Sequence, residues 1–425
     1  MNGVLGDYVC LQRGTTYKSA LLGQSGPCLL GLGSISRNGG FRSDNLKTYG
    51  GDSDPRILLR PGDVYVSLKD VTQAADLLGA VARVPEEIPQ GRLTQDTVKL
   101  VFKEHAPRSL IYWVLRSPQY RDFCRSFATG TTNLGLPRND FLSFPVPQLT
   151  PSRAALVELL EGIEHKIELN RKMNATLESV ARALFRDWFV DFGPTRAKMK
   201  GCAPYLSPDL WSFFPDCLDD EGKPEGWETG TLNDLAQLNP ESWTARNAPD
   251  SVAYVDLANT KWGSIDKVEL YDWIDAPSRA RRILRAGDTI VGTVRPGNGS
   301  FCFIGEDGLT GSTGFAVLRP NSPQDGAFVW CAATSAENID RLAHLADGGA
   351  YPAVRPDAVA ATVTVIPSAD VLEVFGGIVS GKVNLMEANK RESRTLAQTR
   401  DLLLPRLMSG ELRLAEAERT SEAAQ

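Results

Sequence analysis

The sequence predicts an α+β fold in which two similar β-rich domains are separated by two long, antiparallel coiled-coil helices, arranged as a pseudo-twofold internal repeat. The repeat can be read directly. Residues 170–177 (NRKMNATL) correspond to 389–396 (NKRESRTL), and residues 57–64 (ILLRPGDV) correspond to 282–289 (RILRAGDT). In each half a strand-rich segment ends in a long helical one. With 425 residues, the chain is also too long for a single hydrophobic core.

The composition, 42% hydrophobic and 23% charged residues, is ordinary for a globular protein. No apolar run reaches the ~18 residues that a membrane helix needs, and the N-terminal segment lacks the features of a signal peptide. The seven cysteines are scattered without a CxxC pair, as is typical of reduced thiols in a cytoplasm. None of the three histidines has ligand spacing to a cysteine, so no metal site is predicted. We therefore expect a cytoplasmic protein without membrane contact.

The first predicted β-rich domain covers residues 1–150, where turns rich in Gly, Ser and Asn separate short apolar runs. Strands are expected at 64–68 and 97–102, with a helix over 109–127 that is interrupted at Pro118. The second such domain covers 226–367. Its expected strands are 252–256, 289–294, 301–304, 315–318 and 361–366.

Two long helices are predicted over 151–191, as a central spacer, and over 368–412. In the first, seam positions recur alternately every four and three residues from Leu156 to Trp188, which is a heptad pattern. About 40 residues at ~1.5 Å each extend roughly 60 Å, so the helix needs a partner, and the second helix is the expected one. The predicted seam comprises Leu160, Ile163, Ile167, Asn170, Leu177, Leu184, Trp188, Asn389, Leu396 and Leu403. A turn-rich connector is expected over 192–225 and a disordered tail over 413–425.

Asn170 and Asn389 occupy equivalent seam positions. A buried Asn pair would lower stability but fix the register and orientation of the helices. Two surface Asn residues on slightly rotated helices would explain the sequence equally well.

Signatures of catalysis are missing from the sequence. There is no GxxxxGK[ST] loop for a nucleoside triphosphate, and the GxG at 31–33 lacks the rest of a dinucleotide fingerprint. The segment 239–242 (NPES) is reminiscent of the base-holding loop of amino-methyltransferases, but it lacks the second proline and the aromatic residue, so we interpret it as a turn. Three isolated histidines form no Ser-His-Asp or Cys-His arrangement. The sequence favours a binding protein without catalysis of its own.

Loops rich in glycine, amides and arginine occur at matching places in the two β-rich domains. Loops 130–138 and 348–356 precede the last strand of each domain, and 291–300 begins where 66–70 falls in the first. Arg and Lys can bind guanine edges, Asn can bind adenine, and glycine lets the backbone approach phosphates. For any single residue an ordinary turn is an equally good explanation. The candidate DNA-contacting residues are Lys69, Thr131, Thr132, Asn133, Arg138, Arg295, Asn298, Tyr351 and Arg355.

The net charge of −6 counts against a free-standing nucleic-acid binder, which usually presents a basic face. Four arginines nevertheless cluster at positions 279, 281, 282 and 285. They form either a local basic face or a solvated surface.

Three segments carry a more specific signal: 185–201 (FRDWFVDFGPTRAKMKG), 214–228, which contains FPD and PEGWE, and 402–412 (LLLPRLMSGEL). The first two strongly resemble the central spacer and the opening of the second target recognition domain in specificity subunits of type I restriction–modification systems. The third resembles the end of that family's C-terminal helix. The resemblance extends over essentially the whole chain.

The resemblance implies two target recognition domains, each of which reads one half of an asymmetric, bipartite site in double-stranded DNA, with the helices as a ruler between the halves. It implies docking of two modification (methyltransferase) subunits and, in some assemblies, of restriction subunits with translocase and nuclease activity, in defence against phage. S-adenosylmethionine, ATP and Mg would be used by those partners, and no cofactor would be bound by this chain. The Pro-rich segment that commonly precedes each helix in the family is replaced here by 147–151 and 367–369.

Two other functions stay open from the sequence. One is a divergent DNA methyltransferase or nuclease that acts on its own, which turnover by the isolated chain would reveal. The other is an assembly scaffold that binds methyltransferase without discriminating between DNA sequences.

Overall fold

The computed structural model describes residues 3–43, 46–71, 74–131, 133–349 and 351–410. The chain divides into two compact units. The first unit is formed by Met1–Leu169 together with Glu392–Gln425, and the second by Asn170–Arg391. Each unit therefore contains one β-rich segment and part of each long helix.

The first unit is built on two small sheets. The four-stranded sheet is antiparallel, in the order Val9–Arg13, Thr97–Phe102, Val64–Ser67 and Val81–Arg83. The other sheet has the order Cys28–Leu30, Gly91–Leu93 and Leu58–Leu59, with the first pair parallel and the second antiparallel. Short strand pairs join Gly3–Val4 to Pro145–Val146 and Lys69–Asp70 to Leu134–Gly135. The helices are Leu5–Tyr8, Arg108–Val114, Pro118–Ser126 and Arg138–Leu142.

The second unit has the same plan. Its antiparallel four-stranded sheet runs Ala236–Leu238, Phe315–Pro320, Thr289–Gly292 and Phe301–Phe303. Its other sheet runs Glu269–Asp272, Ser251–Val255, Leu309–Ser312 and Ala280–Ile283, with only the middle pair parallel. Short pairs join Glu228–Thr231 to Val363–Ile366 and Thr260–Lys261 to Ser264–Ile265. The helices are Gly193–Met199, Pro208–Ser212, Leu232–Leu235, Gly326–Ala333, Ala336–Leu345 and Pro356–Ala360.

The internal repeat is therefore a repeat of topology as well as of sequence. The all-antiparallel four-stranded sheets of the two units have the same strand order, and both companion sheets combine a parallel with an antiparallel pair in the same chain order. The second unit adds one edge strand, Glu269–Asp272. The predicted fold class, two similar β-rich domains with two long helices, is confirmed.

The strands Val64–Ser67 and Thr289–Gly292 hold corresponding places in the two units and are buried on both faces, which explains their apolar character. In Val64–Ser67, Val64 and Val66 face the core that contains the helices, whereas Tyr65 faces the core of the three-stranded sheet. In Thr289–Gly292, Val291 faces the core that contains the helices, and Ile290 faces the core of the companion sheet. The alternation follows from the two-residue period of a strand, and it holds the two sheets of each unit together.

The two long helices are Pro151–Phe189 and Ala369–Ser409, here called the central helix and the C-terminal helix. They pair antiparallel within each unit. In the first unit Arg153 donates to the carbonyl of Leu407 (3.0 Å), while Lys166 lies 3.2 Å from Glu392. In the second unit Asn170 and Asn174 lie beside Asn389 and Met386.

The predicted seam residues differ in burial. The seam residues of the first unit pack in its hydrophobic core. In the second unit the apolar seam residues pack in the core, and the two Asn residues make the polar contacts described below. The buried members are Leu160, Ile163, Asn170, Trp188, Asn389 and Leu403. The half-buried members are Ile167, Leu177, Leu184 and Leu396.

Polar side chains interrupt the apolar seam in the second unit. Asn170 and Asn389 are both buried, and Asn170 Nδ2 donates to the Asn389 carbonyl at 3.4 Å. Asn389 Nδ2 donates to Asn174 Oδ1 at 2.8 Å, and Asn174 Nδ2 donates to the Met386 carbonyl at 3.1 Å. Because this ladder forms only when these turns face each other, it selects one register for the helix pair.

The helix ends differ slightly from the sequence expectation. The central helix stops at Phe189 rather than at 191, because Phe192 adopts a left-handed backbone (φ 53°) and Gly193–Met199 begins a new helix. The segment expected as a turn-rich connector thus holds two short helices. The C-terminal helix ends at Ser409. The tail expected over 413–425 lies outside the described residues.

Replacing Ile163 by Asp should lower the free energy of unfolding by at least about 3 kcal/mol, because it places an unpaired charge in an apolar core. Ile163 is 6% exposed. Leu169→Asp on the same helix is the matched control, since Leu169 is 44% exposed. That control should change stability by no more than about 0.5 kcal/mol. Urea unfolding followed by circular dichroism measures both, and equal effects would contradict the assignment of the buried face.

Candidate nucleic-acid interface

In the second unit the structure joins the two loops that the sequence singles out. Val294 forms an isolated β-bridge with Ala353, which also bridges Asp347. The Arg295 backbone N–H donates to the Pro352 carbonyl at 2.8 Å. Loops 291–300 and 348–356 therefore form one surface rather than two.

A tight turn presents the aromatic residue of this surface. Gly348 has φ 122°, and a Cβ there would lie 3.0 Å from the Tyr351 carbonyl oxygen, so the turn favours glycine. Tyr351 is 72% exposed, and the Arg295 guanidinium lies 4.8 Å from its ring centroid. This cation–π contact orients an exposed arginine without burying its hydrogen-bond donors.

The first unit builds the same arrangement. Lys69–Asp70 pairs with Leu134–Gly135, and Gly130 has φ 96° with a would-be Cβ only 2.5 Å from the Asn133 carbonyl oxygen. Asn133 thus occupies the turn position that Tyr351 has in the second unit. The Lys69 ammonium is half exposed and lies 3.3 Å from Asp96.

The remaining candidates lie on the same loops. Arg138 is the first residue of the helix Arg138–Leu142, and Arg355 is the residue immediately before the helix Pro356–Ala360, so the two arginines lie one position apart at the start of corresponding helices. Both are exposed, as are Thr131 and Asn298. Thr132 lies outside the described residues. The structure thus groups the candidates into one exposed set in each unit.

The arginine cluster at 279–285 is largely committed to neighbours within the second unit. Arg279 binds Asp256 at 2.6 Å, and the Arg281 guanidinium lies 4.3 Å from the Trp273 ring centroid. Arg285 pairs with Glu241 at 3.1 Å. These contacts favour the interpretation of a solvated, internally balanced surface over that of an open phosphate-binding face.

The first unit contains a basic cleft of about 380 Å³ that the sequence did not predict. Its walls include the arginines Arg37, Arg116, Arg121, Arg125 and Arg400. Several are held by structural partners: Arg116 and Arg400 lie 3.3 Å and 3.0 Å from Glu164. Because these arginines are scattered from position 37 to position 400, no local sequence pattern could have revealed the cleft.

The segment 239–242, considered above as a remnant of a base-holding loop, has structural contacts. Asn239 Oδ1 accepts the Val317 backbone N–H at 3.0 Å, and the Asn239 N–H donates to the Val317 carbonyl. Hydrogen bonds from Arg285 and Arg319 hold the pKa of Glu241 at about 2, well below its ordinary value. Arg319 also binds Asp288, which is fully buried. The segment therefore stabilises the unit rather than forming an open site.

Within the residues that the structure describes, no group of three or more His, Cys, Asp or Glu side chains is placed to hold a metal ion. Nor does any helix there have the length and apolar character to cross a membrane.

Comparison with known proteins identifies relatives of one kind. The chain is 24% identical over 323 residues to the type I restriction enzyme HindI specificity subunit of Haemophilus influenzae, covering 64% of this chain and 69% of that protein. It is 21% identical over 336 residues to the type I restriction enzyme MjaIX specificity subunit of Methanocaldococcus jannaschii, covering 75% and 72%. No protein-family model matches the chain.

Among solved structures, the fold is similar to that of the type I restriction–modification S subunit from M. genitalium. The TM-score is 0.54 at 13% sequence identity, over 96% of this chain and 95% of that one. This likeness extends over both units and both long helices.

Replacing Glu241 by Gln should destabilise the second unit slightly, and the effect should depend on pH. Because the pKa of Glu241 is lower in the folded state than its ordinary 4.5, its stabilisation is present above pH 4.5 and is lost as pH falls towards 2. The side chain is 36% exposed, so solvent screening limits the loss at pH 7 to less than about 1 kcal/mol. Denaturant unfolding of the parent and the variant at pH 7 and pH 3 measures the loss in free energy of unfolding. A loss that is larger at pH 3 than at pH 7 would contradict the ion-pair role of Glu241.

Proposed function

The chain belongs to the specificity subunits of type I restriction–modification systems, and we propose that its two units each read one half of a bipartite DNA site for partner methyltransferase subunits. It is a non-catalytic, DNA-specificity member of such a complex. The alternative of a methyltransferase or nuclease acting alone is not supported by its relatives.

The observation that carries this proposal is one scaffold with two different sets of exposed side chains. Both units present a loop pair at the same topological place, closed by a glycine turn. The turn carries Asn133 in the first unit and Tyr351 in the second. Two copies of one scaffold with different chemistry suit the reading of two unlike half-sites.

The exposed side chains on these loops are of the kinds that distinguish one base pair from another. Arg138 and Arg355 could each bind guanine through two parallel hydrogen bonds, and Asn133 and Asn298 could pair with adenine in the same way. Such a contact is worth about 1–3 kcal/mol of discrimination against the wrong base. Lys69 suits a phosphate, which positions the protein without specifying sequence.

The central helix suits a ruler between the half-sites. Its 39 residues belong to both units, and at ~1.5 Å per residue they extend roughly 58 Å. That exceeds one turn of DNA, about 34 Å, so a helix of this length can set the spacing of two readers.

We propose that methyltransferase subunits dock on exposed apolar positions of the long helices. On the central helix Met173 and Val180 are 38% and 40% exposed, and their seven-residue spacing places them on one helix face. Two such subunits, and restriction subunits where present, would use S-adenosylmethionine, ATP and Mg. Partners would also supply much of the positive charge that a chain of net charge −6 does not.

The proposed location is the cytoplasm, where DNA and these partners are found. The seven cysteines are unpaired, and unpaired thiols are typical of a reducing compartment.

Arg138→Ala and Arg355→Ala form a comparable pair, because they remove the same side chain near the start of corresponding helices in the two units. Each should weaken recognition of a different half-site by about 1–3 kcal/mol. Mapping N6-methyladenine in host DNA with and without the chain first gives the target. Binding of the complex to DNA with one half-site scrambled then measures each effect. If both variants relaxed the same half-site, the two-reader proposal would be wrong.

The double variant Met173→Asp with Val180→Asp should fold normally but bind methyltransferase at least about tenfold more weakly, a loss of ~1.4 kcal/mol. Calorimetric titration with the purified partner measures the affinity. Leu270→Asp is the control, since Leu270 is 81% exposed on an edge strand of the same unit. Unchanged affinity in the double variant would place the docking surface elsewhere.

A further inference from the structure

A hairpin in the second unit presents an exposed tryptophan in an unfavourable backbone conformation. Strands Thr260–Lys261 and Ser264–Ile265 are joined by Trp262 and Gly263, whose φ angles are 48° and 80°. Two-residue turns with both φ values positive favour Asn-Gly and similar pairs, because a bulky side chain crowds the left-handed backbone. A tryptophan at this position therefore goes against the local backbone preference, and such outliers concentrate at functional sites.

The turn is held firmly in place. The Trp262 N–H donates to the Gly299 carbonyl at 2.7 Å, and the Gly263 N–H donates to the Phe301 carbonyl at 2.9 Å. The Gly263 carbonyl in turn accepts from Lys390 Nζ at 3.0 Å, which ties the turn to the C-terminal helix.

One face of the indole is covered and the rest is open. A Cβ on Gly299 would lie 2.6 Å from Trp262 Cδ2 and Cε2, so the ring packs directly on the backbone of Gly299. Phe301 meets it edge-on at 5.8 Å between ring centroids. Trp262 is nevertheless 61% exposed.

Gly299 belongs to the same loop as the candidate DNA-contacting residues. Its N–H donates to the Pro296 carbonyl at 3.0 Å, and the Asn298 N–H donates to the Arg295 carbonyl at 2.9 Å. Trp262 thus extends the surface formed by Arg295, Asn298 and Tyr351.

The first unit has no tryptophan at the corresponding turn. That turn follows the strand Cys28–Leu30 and is longer, since it joins the bridged residues Ile35 and Phe41, and Asn38 and Gly39 within it have φ 63° and 104°. The Asn38 N–H donates to the Asp76 carbonyl at 3.0 Å, in the loop after the strand Val64–Ser67. Asn adopts a positive φ more readily than a bulky residue does. The same structural task is therefore met without an aromatic ring.

We propose that Trp262 is a DNA-contacting residue of the second unit that stacks its open face against a base step of the half-site read by that unit. This inference depends on the proposed DNA-reading function and adds a residue to it. An aromatic or apolar side chain held at a groove can partly unstack a base step and gain contact area from it. The ring would then contribute affinity and sensitivity to the flexibility of that step.

Trp262→Asn separates this role from folding, because it installs the residue that the first unit uses. The variant should unfold at the same or a higher temperature than the parent. Its complex with methyltransferase should bind the DNA site at least about tenfold more weakly. Trp262→Phe should retain most of the affinity, and Ile274→Ala, which trims another exposed apolar residue of this unit, should leave it unchanged.

DNA that carries 2-aminopurine at successive positions of each half-site gives the direct readout. Binding by the parent complex should raise fluorescence at one step of one half-site, and Trp262→Asn should abolish that signal. Equal DNA affinity and equal fluorescence for Trp262→Asn and the parent would overturn the inference while leaving the two-reader function intact. Loss of methyltransferase binding in this variant would also overturn it, in favour of a protein contact. A parent complex without sequence preference would refute the proposed function and, with it, the inference.

Discussion

Burial of one face of each long helix is the constraint on which the rest of this structure depends. In the first unit Leu160, Ile163 and Leu403 join the core that surrounds Trp113. In the second unit Phe185 and Phe375 contact the domain core through aromatic pairs, including Phe185 with Phe328 at 5.2 Å. Large side chains of this kind dominate core energetics. The helices are therefore part of each domain's interior, and the exposed loops sit on a scaffold that cannot leave the helices without opening its core.

Polar groups within the apolar interface of the two long helices fix the register of the helix pair. In the first unit Arg116 and Arg400 converge on Glu164 from the turn between two domain helices and from the C-terminal helix. Burial alone would raise the pKa of Glu164, but the two guanidinium groups lower it. In the second unit, the hydrogen-bond ladder of Asn170, Asn174 and Asn389 also fixes the register of the two helices. Such groups add less stability than apolar packing would, but any slip of the helices leaves them without partners, which carries a large energetic cost.

Sequence reasoning succeeded where the signal was periodic or repeated. The heptad positions from Leu156 to Trp188 predicted a long helix, and matching glycine turns predicted that loops 130–138 and 348–356 lie at equivalent places. The sequence left the interpretation open where partners are distant along the chain. The arginines at 279–285 could form either a basic face or a solvated surface, because Glu241 and Asp256 neutralise part of the cluster only after folding. Trp262 was missed because its significance lies in a φ angle and in contact with Gly299, neither of which a linear pattern reveals.

The difference between the two units indicates how such a protein can change what it binds. Their strand order, buried central strands and glycine turns coincide, whereas the tips differ: Asn38 against Trp262, and Asn133 against Tyr351. These tips are held by backbone hydrogen bonds, which any residue that tolerates the local φ can make. Substitution at a tip therefore alters the exposed chemistry without disturbing the core packed against the helices. Stability and recognition are thereby assigned to separate residues, which allows the two halves of one chain to diverge independently.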